Sequence, residues 1–202
     1  MEIGFGSMLD VLIRDMKKYA LDNNVPIMTE GGIDYLTKYI RKNKVKRILE
    51  IGSAIGYSAI LMCSVSDDIF VTTIERDEKR YMEALKNIKK AHLEDRIELI
   101  YNDALEVSVK GKYDLIFIDA AKAQNQKFFE KFEKNLEFDG TIITDNMNFH
   151  GLVNKDLEEI ESRNLRQLVR KIKDYREFLK NNKKFSTDFL DIGDGIAISK
   201  RV

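Results

Sequence analysis

Apolar and polar positions change period several times along the chain, and the changes mark its elements. From Met8 to Leu21 apolar residues recur at helical spacing through Leu9, Leu12, Ile13, Met16 and Ala20, which predicts an amphipathic helix. Pro26, the only proline, interrupts it, and Gly31-Gly32 precedes a second short helix that ends near Lys42. Strand and helix patterns then alternate. Strands are predicted over Arg47–Ile51, Ile69–Glu75, Arg96–Tyr101, Tyr113–Asp119 and Gly140–Asp145. The intervening helices cover Tyr57–Val65, Asp77–Ala91, where Asp77 suits an N-cap, and Asn125–Leu136. A basic helix follows, and then two strands, Lys184–Leu190 and Gly195–Ser199. The turn Asp191-Ile192-Gly193-Asp194-Gly195 between them is too short for a helical crossover, so this pair must be antiparallel.

Alternating elements imply an α/β fold: a doubly wound, mostly parallel seven-stranded sheet with helices on both faces and an antiparallel final strand. Residues 1–202 read as one domain, with residues 1–45 as an N-terminal helical cap. No internal repeat, linker or low-complexity tract interrupts the pattern.

Composition adds exclusions. At 44% hydrophobic and 34% charged the chain reads as a globular protein, and it contains no apolar run of membrane-spanning length and no signal-peptide pattern. A cytoplasmic protein with no membrane partner is expected. Cys63 is the only cysteine, so no intramolecular disulfide can form, and its apolar neighbours Ile60, Leu61 and Met62 favour a buried thiol. Net charge is zero, but its distribution is uneven. From Arg163 to Lys184 nine basic residues face only Asp174 and Glu177, a net charge of +7. A solvated helix face explains such a run as well as a phosphate-contacting surface does.

The candidate chemistry gathers at strand ends, where open α/β sheets bind ligands. Asp119 closes one apolar strand, Asp145-Asn146 closes another, and Lys122 follows Asp119 by three residues. Two carboxylates and an amide oxygen suit a hard cation such as Mg²⁺ or another divalent ion, against the plainer reading of loop capping. A lysine beside a cation is a candidate proton acceptor for an oxygen nucleophile. Phe149 and His150 could wall a substrate pocket there, whereas His92 reads as a helix-end surface residue.

The first strand runs into Gly52-Ser53-Ala54-Ile55-Gly56, a G-x-A-x-G turn that lets backbone approach a ligand but lacks the dinucleotide pattern G-x-G-x-x-G. Glu75 ends the next strand 23 residues after Gly52, a separation suited to holding ribose hydroxyls. Asp103-Ala104 ends the third, where a carboxylate and its neighbouring amide could hold an adenine edge. Together they point to an adenosine-containing cofactor, for which S-adenosyl-L-methionine fits better than a nicotinamide dinucleotide.

These pieces resemble the catechol-type, metal-dependent class I O-methyltransferases. The matching residues are Glu50-Ile51-Gly52-Ser53-Ala54-Ile55-Gly56-Tyr57-Ser58, Glu75, Phe117-Ile118-Asp119-Ala120-Ala121-Lys122 and Thr144-Asp145-Asn146, and the resemblance extends from about Asp15. Val25-Pro26-Ile27-Met28, Thr73-Ile74-Glu75-Arg76, His150-Gly151-Leu152-Val153 and the run Gly193–Lys200 look most like the bacterial group that methylates 5-hydroxyuridine at the tRNA wobble position. Met1–Ser7 does not resemble that family, and the Gly31-Gly32 loop departs from many relatives. The resemblance implies that Met28, Ser58, Glu75, Asp103 and Asp119 bind S-adenosylmethionine, beside Gly52 and Ala104. It implies Asp119, Asp145 and Asn146 as metal ligands, Lys122 as the catalytic lysine, and a homodimer.

Catechol and 5-hydroxyuridine both present two neighbouring oxygens, so one chelating metal serves either. The basic run tips the expectation toward tRNA as substrate, with a small-molecule catechol or caffeoyl-type acceptor as the alternative. A nicotinamide-dependent oxidoreductase is disfavoured by the glycine pattern and the final hairpin, and a non-catalytic RNA-binding module by the triad with Lys122.

Overall fold

The computed structural model describes residues 5–202 and contains the expected alternation. Helices α1 (Phe5–Asp22) and α2 (Glu30–Lys42) come first. They are followed by β1 (Arg47–Ile51), α3 (Tyr57–Cys63), β2 (Phe70–Glu75), α4 (Glu78–Lys90) and β3 (Ile97–Tyr101). The second half holds β4 (Tyr113–Ile118), α5 (Asn125–Phe132), β5 (Leu136–Thr144), α6 (Arg163–Lys180), β6 (Phe185–Leu190) and β7 (Ile196–Arg201). The expectation about Met1–Ser7 falls partly on residues 1–4, which lie outside the described residues.

The seven strands form one sheet in the order β3-β2-β1-β4-β5-β7-β6. The first five are mutually parallel, and β7 runs antiparallel to both β5 and β6. The central strands are buried on both faces, which is why they read as continuous apolar runs. Their period of two sends alternate residues to opposite layers. Ile48, Leu115, Phe117 and Ile143 meet Met16, Leu36, Ile40 and Ile60 from α1, α2 and α3. Leu49, Ile51, Ile116, Ile118 and Ile142 meet Phe128, Phe129 and Phe132 of α5 and Tyr175 and Leu179 of α6. Cys63 lies buried in the first layer, where its thiol contacts the Ile69 carbonyl at 3.4 Å and burial pushes its pKa up to about 11.

Several boundaries differ from the sequence pattern for identifiable reasons. Gly31-Gly32 does not precede α2 but occupies its first turn, because Thr29 caps the helix and its hydroxyl accepts the Gly32 N–H at 3.2 Å. The helix expected to reach Leu136 ends at Phe132 and tightens into one 3-10 turn over Glu133–Asn135. Strand β5 begins at Leu136 rather than Gly140, and its exposed Glu137, Phe138 and Asp139 break the apolar pattern. The basic helix stops at Lys180, leaving Lys183 and Lys184 in the following turn. Asp77 caps α4 as expected, accepting from the Arg80 N–H at 2.9 Å. Among the described residues no helix is long and apolar enough to cross a membrane.

Strand order places the cleft. The chain leaves β1 toward β2 on one side and leaves β4 toward β5 on the other, so the carboxyl ends of β1 and β4 splay into a crevice at this switch point. Register makes the ends level: Ile51 pairs with Ile118, and Ile118 with Thr144. The residues immediately after them, Gly52, Asp119 and Asp145, therefore emerge side by side. Gly52 permits this closeness. Its φ is +98°, and a Cβ there would meet the Asp119 carbonyl oxygen at 2.4 Å.

Candidate functional site

The crevice opens into a cleft of about 520 Å³ floored by the ends of five parallel strands. Gly52 and Ala54 come from the turn after β1, and Glu75 and Arg76 from the end of β2. Asp103 and Ala104 follow β3, Asp119 and Lys122 follow β4, and Asp145 and Asn146 follow β5. Pro26, Ile27 and Thr29 approach from the α1–α2 connection, Leu168 from α6 and Asp194 from the β6–β7 turn. Phe149 and His150 stand in the wall, their ring centroids 5.5 Å apart.

One half of the cleft offers carboxylate acceptors suited to ligand hydroxyls beside an apolar face. Glu75 is buried, and its two oxygens accept the Ala54 N–H at 2.8 Å and the Asp77 N–H at 2.9 Å. Those bonds stitch the glycine turn to the end of β2 and leave each oxygen a second lone pair for a ligand hydroxyl. Asp103 accepts the Leu105 N–H at 2.8 Å and faces Arg76 at 3.4 Å. Apolar Ile51, Ile74, Ala104 and Phe128 line the same region, a surface against which a flat base can rest. The Ser53 hydroxyl, in the same glycine turn, is buried without a partner among the described residues.

The other half concentrates negative charge. Burial raises the Asp119 pKa, opposed by Lys122, whose Nζ lies 3.2 Å from its carboxylate. Asp145 is 3% exposed, and burial followed by repulsion from Asp119 pushes its pKa up to about 7. Asp194 adds a third negative group whose field acts on both. Three carboxylates thus face a single lysine at the cleft floor. Among the described residues no three His, Cys, Asp or Glu side chains form a metal cluster on their own. The set here is two carboxylates with the Asn146 amide, hard oxygen donors around uncompensated negative charge, and it fits a divalent cation such as Mg²⁺.

Two residues that the resemblance assigns to the cofactor are buried next to the cleft and do not line it. Ser58 is buried behind the glycine turn, and its hydroxyl donates to Glu50, which also accepts from the Thr73 hydroxyl at 2.7 Å. Met28 is buried against Gly32, while its neighbours Ile27 and Thr29 face the cleft. Ser58 therefore supports the turn from below. Asp194, in contrast, has no place in the sequence reading. Its signal was available, because a short turn before an antiparallel last strand must lie at the carboxyl edge of the sheet.

A family model described as O-methyltransferase matches residues 6–202, starting earlier than the Asp15 at which the sequence resemblance begins. A caffeoyl-CoA O-methyltransferase of Populus kitakamiensis is 27% identical over 194 residues, covering 92% of this chain and 82% of that protein. The crystal structure of a Staphylococcus aureus protein, provisionally named a caffeoyl-CoA O-methyltransferase, superposes with a TM-score of 0.90 at 45% identity, covering 94% of this chain and 92% of that one. A Bacillus cereus O-methyltransferase in complex with S-adenosylhomocysteine superposes with a TM-score of 0.81 at 26% identity, covering 95% and 91% of the two chains.

Glu50 gives the site a pH signature. It is fully buried, and loss of hydration pushes its pKa from 4.5 up to about 7. Its contribution to stability is therefore complete below about pH 4.5 and is lost as pH rises through about 7. Urea titrations should show the stability of the wild-type chain relative to Glu50→Gln falling by roughly 3 kcal/mol as the pH rises from about 4.5 to 8. Parallel pH curves for the two chains would contradict the assignment.

Proposed function

The chain belongs to the O-methyltransferase family, and within it we propose a divalent-cation-dependent enzyme that methylates 5-hydroxyuridine at the tRNA wobble position to 5-methoxyuridine. Its methyl donor is S-adenosylmethionine. The observation that carries the cation reading is the pair of half-buried Asp119 and buried Asp145, with Asn146 beside it and one lysine facing it.

Methyl transfer breaks a carbon–sulfur bond and forms a carbon–oxygen bond in line, so the acceptor must lose its proton and be aligned behind the methyl group. Asp119, Asp145 and Asn146 would hold the cation, which would lower the pKa of an acceptor hydroxyl and so favour its ionised form. Lys122 Nζ, mostly buried beside Asp119, is placed to take the hydroxyl proton once the ammonium that pairs with Asp119 has released its own proton to solvent. Glu75 and Asp103 orient the adenosine end of the donor. Phe149 and His150 wall the acceptor side.

The RNA reading draws on α6, which touches the cleft through Leu168. Part of its charge is used locally. Arg166 binds the Ile160 carbonyl, Lys173 the Lys155 carbonyl and Arg176 the Met147 carbonyl, tying down the segment that follows Asn146. Lys180 and Lys184 pair with Glu177 and Glu133, which among the described residues leaves Arg163, Arg170, Lys171 and Lys183 exposed and unpaired. Four free cations support phosphate contacts and a salt slope in log affinity of about −3. The second reading, a caffeoyl-type or catechol acceptor, is favoured by the names of the relatives above and by the same chelating geometry.

Removing the cation with EDTA, or substituting Asp145→Ala, should abolish turnover while S-adenosylhomocysteine affinity measured by calorimetry survives. Full activity in chelator would refute the cation. The acceptor is tested by mass spectrometry of nucleosides from tRNA of cells lacking the protein. The expected result is loss of 5-methoxyuridine with accumulation of 5-hydroxyuridine. Unchanged 5-methoxyuridine, or much faster turnover of a catechol than of hypomodified tRNA, would favour the small-molecule reading.

A further inference from the structure

Asp194 lies 48 residues beyond Asn146, is 7% exposed, and makes two directed contacts with the segment that leaves β5. One of its oxygens accepts the Asn146 side-chain N–H at 3.1 Å, and the other accepts the His150 backbone N–H at 2.6 Å. Two backbone bonds reinforce the junction, from Asn148 N–H to the Asp194 carbonyl at 2.8 Å and from Met147 N–H to the Gly195 carbonyl at 3.0 Å. The clamped segment needs restraint, because Asn146, Phe149 and His150 have φ of 61°, 44° and 54°, in the left-handed region. Gly195 makes the approach possible: at φ +84°, a Cβ there would meet Asn148 Cγ at 2.6 Å.

The chemistry of the contact decides which way the Asn146 amide faces. An amide has a donating NH₂ end and an accepting oxygen end, and only the oxygen can bind a cation. A carboxylate accepts and never donates, so it captures the NH₂ end and leaves the oxygen directed away from itself. We propose that Asp194 is a positioning residue that fixes the orientation of the Asn146 amide, presenting its oxygen for a divalent cation shared with Asp119 and Asp145. This role rests on the cation reading above. Asp194 acts through Asn146 and holds the Phe149–His150 wall through the same carboxylate. Neighbours that orient metal ligands in this way commonly change metal affinity by about 10- to 100-fold.

The test is Mn²⁺ titration by calorimetry on the full chain, with S-adenosylhomocysteine affinity measured in parallel as the report on folding and on the donor half of the cleft. Asp194→Ala and Asp194→Asn should weaken Mn²⁺ binding about 10- to 100-fold and leave S-adenosylhomocysteine affinity within about twofold. The double variant Asn146→Asp with Asp194→Asn exchanges donor and acceptor: the new amide donates to position 146 and its oxygen still accepts from His150. It should bind Mn²⁺ more tightly than Asn146→Asp with Asp194→Ala, which carries the same site charge but no donor at position 194, a rescue that added charge alone would not produce. Single Asp194 variants that bind Mn²⁺ like wild type, or an exchanged pair no better than Asn146→Asp with Asp194→Ala, would overturn the role. A wild-type chain that binds no Mn²⁺ would overturn the cation reading and this role with it.

Discussion

Asp119 and Asp145 leave adjacent parallel strands at the same level, and their repulsion in a buried floor is the constraint to which the surrounding residues answer. Carboxylates are poorly tolerated in a low-dielectric site unless a counter-charge meets them. Lys122 supplies one positive charge, and Asp194 adds a further negative one. The floor is thus left short of positive charge in the region where an acceptor hydroxyl must become an anion. The same level strand ends bring Gly52 against the Asp119 carbonyl, so the donor's turn and the charged floor share one wall.

Support for that floor comes from both layers of the fold. Tyr175 of α6 reaches the Thr144 hydroxyl at 2.8 Å, fastening the end of β5 immediately before Asp145. Phe129 packs edge-on against Phe178 and Phe185, holding α5, α6 and β6 together beneath it. On the donor side Glu50 lies under the glycine turn, bonded by the Ser58 and Thr73 hydroxyls, and Glu75 closes the turn from above. Rigid strands with buried anchors carry the reacting groups. The segment after Asn146 depends on longer-range ties from Asp194 and from Arg166, Lys173 and Arg176.

Much of this was legible in the sequence because it is local. Acids that end apolar strands announce themselves by position, and Glu75, Asp103, Asp119 and Asp145 all line the cleft. The antiparallel pairing of the last two strands followed from the length of one turn. What escaped depends on contacts between distant segments. Asp194 matters through Asn146, and nothing in the short turn containing it names that partner. Ser58 belongs to the matching motif, but nothing in the motif's spacing shows that its hydroxyl bonds Glu50 beneath the turn. The +7 run overstated the free charge of α6, since carbonyl groups of the neighbouring segment take up three of its cations.

The most direct test of the central claim is anomalous diffraction from crystals grown with Mn²⁺ and S-adenosylhomocysteine. The expected result is a Mn²⁺ peak bounded by the oxygens of Asp119, Asp145 and Asn146, with Lys122 Nζ displaced from the Asp119 oxygen it now contacts at 3.2 Å. A cleft that holds S-adenosylhomocysteine but shows no Mn²⁺ peak beside those three residues would contradict it.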